Sequence, residues 1–592
     1  MKRVARSTLA TIWDWASPYA PRYAAGLALL LATNGLALWI PWLLRDAIAA
    51  MERGAELDVI GRYALGMIAV AGVQAMTRTG SRLLVLGTSR RVTFDIRNRF
   101  YDRLRTLGAS FYDTHRTGDI MSRGVNDLRL LRVLYGFGLM NLLNTVVVYV
   151  ATLVILLRID AGLTLWALSV YPFLFLAVNR ISRRVYTRSV AVQEQLATLS
   201  NRAQENISGI RQVKTYAQED REIEAFREVC SDYRRRNLSL TRVRGLLRAL
   251  VGMMAGVGTL VVLFVGGSHV IAGTLTFADF VAFNTYLAIL TWPTVAMGWI
   301  VNVFQRGIGA MERVQEILDE QPDIPAASEE QEEEFQPVDG DIEIRGLRFG
   351  YGDADGEGER TPALRGIDLR ISRGSRVALV GPVGSGKSTL ANLIARVYPA
   401  ARGAIFVGGT DINDIPVSRM RRSIGYVPQE TFLFSRSIRE NIVLGRATVT
   451  EERLAGSVGL SRLVEDVESF PEGLETVVGE RGVTLSGGQG QRTTLARATA
   501  GDPRYLILDD ALSSVDADTE KAILDRLQDE MEGRTTILIT HRPSTLAAMD
   551  RIVVLDEGRV VEDGTHEELM VRRGLYAHLF RRHLLEERLE AG

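Results

Sequence analysis

A helix needs about 20 mostly apolar residues in a row to cross the hydrocarbon core of a bilayer, and the first half of this 592-residue chain holds several such runs. Residues 24–44, 134–157, 161–178 and 249–272 reach that length almost without charge. Two others are less clean. Residues 63–86 carry Arg78 and Arg82, and residues 281–304 contain Trp292 and Pro293, yet both are long enough to cross if their polar groups face protein or water. The sequence therefore predicts six membrane-spanning helices, followed by a soluble half in which charge is dense.

Orientation follows from the basic residues, which collect on cytoplasmic flanks. Arg90, Arg91, Arg97, Arg99, Arg103 and Arg105 follow the second run, and Arg180, Arg183, Arg184 and Arg188 follow the fourth; the alternate connections near 52–58, 158–160 and 273–276 are short and not rich in them. Both termini are then cytoplasmic, as for a multi-pass protein of a plasma or inner membrane. The basic segment 1–7 is followed by Trp-, Tyr- and Pro-containing residues 12–23 with no small-residue cleavage pattern, which predicts a retained interfacial helix rather than a cleaved signal. The long inside connections read as helix, broken around Phe111-Tyr112-Asp113 and Arg116-Thr117-Gly118-Asp119, and again from Glu205 to Ile210 ahead of Thr215-Tyr216. A short transverse helix at each tip is a shape that can dock on a soluble motor. Inside the spans Asn34, Asn141, Asn144, Asn284 and the two arginines either line a substrate path or hydrogen-bond between helices.

The single cysteine, Cys230, excludes an intramolecular disulfide framework. A formal net charge of zero gives no reason to expect a nucleic-acid partner; the only partner composition implies is membrane lipid. Residues 1–305 thus read as an all-α membrane domain and 306–340 as a linker containing the acidic stretch 328–334 and Gln336-Pro337. From residue 341 to 592 short apolar strands alternate with helical patterns, as in an α/β domain.

Within that domain Gly381-Pro382-Val383-Gly384-Ser385-Gly386-Lys387-Ser388, followed by Thr389, fits the phosphate-binding pattern G-x-x-x-x-G-K-[ST]. A strand (376–380) runs in and a helix runs out, so backbone N–H groups converge on phosphates while Lys387 supplies an ammonium and Ser388 a hydroxyl for Mg²⁺. Only four of the 70 basic residues are lysine, which makes a lysine at this position less incidental. A second strand (505–508) delivers Asp509, a carboxylate able to hold hydrated Mg²⁺, and then Asp510. A third (535–540) ends at His541.

Leu485-Ser486-Gly487-Gly488-Gln489, preceded by Val478-Gly479-Glu480-Arg481-Gly482 and followed by a helix from Gln491, closely resembles the signature of the ATP-binding cassette (ABC) transporter family. The resemblance covers essentially the whole chain and is to the exporter type with fused domains. It implies an all-α six-helix membrane domain and a phosphate-loop ATPase domain with a helical subdomain, working as a dimer in which Ser486, Gly487, Gly488 and Gln489 close on ATP held by the partner's phosphate loop. By the same resemblance Tyr351 stacks on adenine, Gln429 senses the γ-phosphate and Mg²⁺, His541 contacts the γ-phosphate, Ser513 to Asp516 form a loop exchanged between subunits, and the two tips near Thr114–Asp119 and Thr215–Tyr216 are coupling elements facing Glu480-Arg481.

One residue departs from the family pattern with a clear consequence. Where a competent member carries Glu after the Mg²⁺-binding Asp, this chain has Asp510, one methylene shorter, and a misplacement of about 1 Å can cost on the order of 100-fold in rate. The site on this phosphate loop is then expected to bind ATP and hydrolyse it slowly, while the intact signature completes a competent site on a different half-transporter. That division resembles heterodimeric multidrug exporters with one degenerate site. A homodimer in which Asp510 suffices, a regulatory ATP-binding membrane protein without transport, and an importer are the alternatives. Gly490, where the family often has a basic residue, is a smaller departure.

Overall fold

The computed structural model describes residues 10–169, 171–325, 327, 332, 338–352, 362–444, 449–479, 485–513, 515 and 517–590. The basic segment 1–7, most of the acidic stretch 328–334, Gln336, Pro337, Glu480, Arg481, Gly482, Ser514 and Asp516 lie outside these residues. The chain forms two compact units, one of Met1–Tyr101 with Met121–Leu318 and one of Asp102–Ile120 with Asp319–Gly592.

The first unit is helical. Its long elements are α1 (Ala20–Glu52), α2 (Leu57–Thr106), the helix Thr117–Ile159, the segments Ala161–Ser169 and Tyr171–Ser208, the helix Glu219–Val261 with its continuation to Ile271, and the helix Phe277–Asp319. The predicted runs 24–44, 63–86, 134–157 and 281–304 each lie within one of these helices, 249–272 reaches one residue past Ile271, and the described residues of 161–178 are divided between Ala161–Ser169 and Tyr171–Ser208. Among the described residues, four helices are long and apolar enough to cross a membrane: Ala10–Glu52, Leu57–Thr106, Thr117–Ile159 and Phe277–Asp319; Gly256–Ile271 is a shorter apolar segment. The expected boundary at 305 falls in mid-helix, because Ala310, Met311, Val314 and Ile317 continue the buried stripe at helical spacing down to Asp319.

Tyr286, Phe283, Leu287 and Leu290 pack with Leu156, Leu163 and Val262 in the core of this unit. The Tyr286 hydroxyl donates to the carbonyl of Leu38 at 2.6 Å, beside Pro41, whose missing N–H interrupts the ladder of α1. Farther along, the Arg313 guanidinium grips Asp127 in bidentate fashion at 2.8 and 2.6 Å, joining the helix Phe277–Asp319 to Thr117–Ile159.

The second unit is built on two sheets. β1 (Ile342–Gly350), β2 (Pro362–Ile371), β4 (Ile405–Val407) and β5 (Thr410–Asp411) form an antiparallel sheet ordered β2-β1-β4-β5. β3 (Arg376–Val380), β6 (Ile424–Val427), β7 (Tyr505–Asp509), β8 (Thr535–Ile539), β9 (Arg551–Asp556) and β10 (Arg559–Gly564) form the second, ordered β10-β9-β3-β8-β7-β6 and parallel except for edge strand β10. β7 and β8 are buried along their whole length, which is why their apolar residues, Tyr505–Leu508 and Ile537–Ile539, are consecutive rather than alternating. A separate cluster of Ile438, Ile442, Leu454, Val458, Val478 and Ala496 is the core of a small helical layer between β6 and β7 in sequence.

Candidate functional site

The parallel sheet brings the carboxyl ends of β3, β8, β7 and β6 side by side, the edge where ligands bind in open α/β sheets. Register does the alignment. Val427 faces Leu508 and Asp509 faces Ile539, so Gln429, two residues past β6, stands level with Asp510, and His541, two residues past β8, stands level with Ala511. The phosphate loop leaves β3 at the same edge. Every strand-end residue singled out from sequence is therefore gathered on one rim.

The loop runs from Gly381 to Gly386 into the helix Lys387–Ile394. Gly386, at the N-cap, has φ +99°, and a Cβ there would stand 2.6 Å from Leu364 Cδ2 and 2.9 Å from the Ala363 carbonyl. Only glycine fits that position without displacing β2. Val383 is fully exposed at the tip, whereas Ser385 is buried beneath it. The Lys387 ammonium turns back to donate to the carbonyls of Gly381 and Pro382, both at 2.8 Å, and reaches Ser385 Oγ at 3.3 Å. Burial pulls its pKa below the ordinary lysine value, against the pull of Asp509 and Asp510.

Asp509 ends β7 and is buried. Burial raises its pKa, and a hydrogen bond from Ser388 opposes the rise. Ser388 and Asp509 thus meet before any ligand arrives: a buried carboxylate backed by a hydroxyl and a nearby lysine suits a hard divalent cation on a polyphosphate. Asp510 follows with φ +50°, a left-handed backbone fixed by its N–H donating to the Ile539 carbonyl at 3.0 Å. His541 Nδ1 is buried without a hydrogen-bond partner. Burial, Lys387 and His583 all lower its pKa, so the ring is neutral and can donate from one nitrogen.

Tyr351 lies on the other side of the loop. Its hydroxyl is 3.0 Å from Thr389 Oγ1 and its ring meets Tyr398 edge-on at 5.4 Å. Tyr398 in turn donates to Asp113 at 2.7 Å, a residue of the tip helix Ala109–Thr114, which belongs to this same unit. The hydroxyl's burial and the Asp113 carboxylate raise the Tyr398 pKa. Tyr398 was not among the residues the sequence pointed to. A tyrosine just past a helix end carries no motif. The second tip helix, Ile210–Thr215, lies in the first unit.

The signature opens a helix four residues earlier than expected, at Gly487 rather than Gln491. Ser486 caps it: its N–H donates to Gln489 Oε1 at 2.9 Å and its hydroxyl accepts from the Gln489 N–H at 3.3 Å, the reciprocal capping box. Gln489 also donates to Asp466 at 2.9 Å, which accepts from Arg492 at 2.6 Å. The exposed N–H groups of the first turn face outward as an anion-binding end. A Cβ on Gly490 would stand 3.3 Å from Thr431 Cγ2, so the side chain the family often carries there has little room. Gln491 donates to Ser513 Oγ at 2.9 Å, tying this helix to the loop after Asp510.

Residues 23–294 match the family model of the ABC transporter transmembrane region and residues 364–513 the family model described as ABC transporter. A probable multidrug resistance ABC transporter ATP-binding/permease protein of Bacillus subtilis, YheI, is 34% identical over 96% of this chain and 97% of its own length. This chain is an ABC transporter. An ATP-dependent lipid A-core flippase of Syntrophus aciditrophicus is 32% identical to the transporter, over 97% of this chain and 94% of its own. The structure of a bacterial Atm1-family ABC exporter with ATP bound superposes with a TM-score of 0.75, at 26% identity over 95% of this chain and 98% of the other. The transporter is accordingly a multi-pass membrane protein with fused membrane and ATP-binding regions, its ATPase domain cytoplasmic and coupled to transport, and it acts as a dimer.

Proposed function

We propose that this transporter is one half of a heterodimeric exporter in which the site on its own phosphate loop binds Mg–ATP and turns it over slowly. The observation that carries the reading is Asp510, a carboxylate one methylene short at the position following Asp509. Ser388, Gln429 and Asp509 would hold Mg²⁺, which would supply charge neutralisation for the bound polyphosphate. Gly381, Pro382, Val383, Gly384, Ser385, Gly386 and Lys387 cradle those phosphates, Thr389 continues the cradle's helix, and Tyr351 stacks on adenine. His541 donates to the γ-phosphate. Ser486, Gly487, Gly488 and Gln489 serve the partner's nucleotide, where a Glu can act as base. Closure of the paired ATPase domains drives alternation between inward- and outward-open states. Drug- or lipid-like amphiphiles are the substrate class that fits the relatives' names.

The test is ATPase activity and ATP-dependent flux in proteoliposomes carrying this chain alone or with its partner half-transporter. Slow hydrolysis alone and fast hydrolysis with flux on pairing are expected. Brisk hydrolysis by the chain alone would favour the homodimer, and hydrolysis without flux the regulatory reading.

The contact of Asp113 with Tyr398 gives a second expectation about the tip. Tyr398→Phe keeps the edge-on ring contact with Tyr351 and removes only the hydroxyl that reaches Asp113. A single solvent-exposed hydrogen bond is worth about 0.5–1.5 kcal/mol net. Flux per ATP hydrolysed is expected to fall roughly 3- to 10-fold while ATP affinity moves less than about twofold. An equal loss in both would make Tyr398 a part of the nucleotide site instead.

A further inference from the structure

The backbone around His541 is fixed, but its imidazole is not fixed by any bond to the strand that carries it. Arg542 N–H donates to Thr540 Oγ1 at 3.2 Å, and the Arg542 guanidinium donates to the Leu512 carbonyl at 3.1 Å and pairs with the buried carboxylate of Glu520. What those bonds leave free is rotation of the ring itself. Its Nδ1, closed off from solvent within this single chain, has no hydrogen-bond partner among the described residues. The ring lies instead against His583, with centroids 5.2 Å apart and planes at 36°. A flat neighbour that close removes some of the staggered positions the imidazole could otherwise take.

His583 is itself held. It stands on the last helix, Leu575–Glu590, and its Nδ1 is 2.9 Å from Glu586 Oε2, three residues on, so a carboxylate on the same face orients the ring. The helix beneath is pinned at its start. The Leu575 and Tyr576 N–H groups donate to the Glu562 carboxylate at 2.7 and 3.0 Å, and the Tyr576 hydroxyl meets His566 Nδ1 at 2.7 Å. Tyr576 and Leu579 share a core with Leu546, which ends the short helix just after His541. Tyr576, Leu579 and His583 stand at i, i+3 and i+7, so His583 carries the helix's inward stripe on to the nucleotide rim.

We propose that His583, oriented by Glu586, is a positioning residue for His541: it holds the imidazole where it donates to the terminal phosphate of ATP, and so makes the last helix part of the nucleotide site. All three side chains belong to one copy of the chain, and their contacts are made without the partner. The assignment rests on the reading that His541 meets the γ-phosphate. ADP lacks that phosphate, while Lys387 and its loop still hold the other two, so the property His583 controls is the preference for ATP over ADP.

The test is calorimetric titration of the full-length chain in nanodiscs with Mg²⁺ and either ADP or the β,γ-imido analogue of ATP, which keeps the γ-phosphate and resists hydrolysis. His541→Ala should cut the preference for the triphosphate about 10- to 100-fold, as expected for one hydrogen bond to a charged group, and leave ADP affinity within about twofold. His583→Ala frees the ring without removing it and should cut the preference about 3- to 10-fold, again sparing ADP. His583→Phe, which keeps a flat ring on the stripe, should restore most of it. Glu586 is half exposed, so Glu586→Ala spares the fold should His583→Ala not, and it is expected to cost about 2- to 5-fold. In the His541→Ala background neither change should have a further effect. A preference unchanged in both His583→Ala and Glu586→Ala overturns the proposal. So does a loss that persists without His541, or an equal loss of ADP affinity, which would make His583 a support of the whole unit. If His541→Ala itself leaves the preference intact, the γ-phosphate reading falls and the proposal falls with it, whereas slow turnover at Asp510 and ATP-driven export stand.

Discussion

Lys387→Ala is expected to abolish nucleotide binding while leaving the ATP-binding unit folded. The ammonium donates to two carbonyls and a hydroxyl and, among the described residues, to no carboxylate, and burial already disfavours its charge. Those contacts are dipolar, so removing the lysine also removes the cost of keeping a cation out of water. The loop has other supports: Ser385 N–H donates to the Pro382 carbonyl at 3.2 Å and Gly558 N–H to the Ser385 carbonyl at 3.3 Å. With polyphosphate present the balance reverses, since the ammonium then pairs with a full negative charge. Losing that interaction should weaken ATP binding at least about 100-fold, or roughly 3 kcal/mol, and reduce hydrolysis at this site to background. Differential scanning fluorimetry of the purified dimer separates the two effects. The midpoint without nucleotide should hold within a degree or two, and the upward shift that ATP gives the parent protein should vanish. A collapse of the nucleotide-free midpoint would make the loss one of folding rather than of charge.

The parts of this site written in consecutive residues were legible; those that depend on distant partners were not. β3, the phosphate loop and its helix are one local unit of apolar strand, glycine turn and helix, and β7 and β8 announce themselves as short apolar runs ending in Asp509 and just before His541. The antiparallel sheet did not. β4 and β5 are three and two residues long, too short for any period to register, and β1 and β2 pair across a connection that hides their partnership. The start of the signature helix was misplaced because Gly487 and Gly488 have poor helix propensity, whereas the reciprocal bonds of Ser486 and Gln489 pay for the first turn. Tyr398 and Asp113 are separated by 285 residues, and His541 and His583, whose rings lie 5.2 Å apart, come from a strand end and the last helix. The left-handed backbone of Asp510 is likewise set by a neighbouring strand, through Ile539, and no local pattern encodes it.

That backbone decides what Asp510→Glu should do. With φ at +50° and the N–H bonded to Ile539, the Cα of residue 510 cannot advance toward the nucleotide, so reach depends on the side chain alone. One added methylene carries the carboxylate forward by about 1–1.5 Å, and a correction of that size is worth on the order of 10- to 100-fold in rate when the group positions or deprotonates the attacking water. Phosphate release by the chain purified alone should rise by that factor, with ATP affinity little changed because Lys387 and Ser388 are untouched. The substitution has a cost in the opposite direction. Aspartate tolerates the left-handed region better than glutamate, so the variant should lose roughly 0.5–1 kcal/mol of stability even as it gains turnover. Faster and slightly less stable is a combination that a general improvement in packing would not produce. An increase of less than about twofold would mean that Asp510 already reaches its water through this geometry, and a homodimer hydrolysing at two equivalent sites would then replace the asymmetric pair.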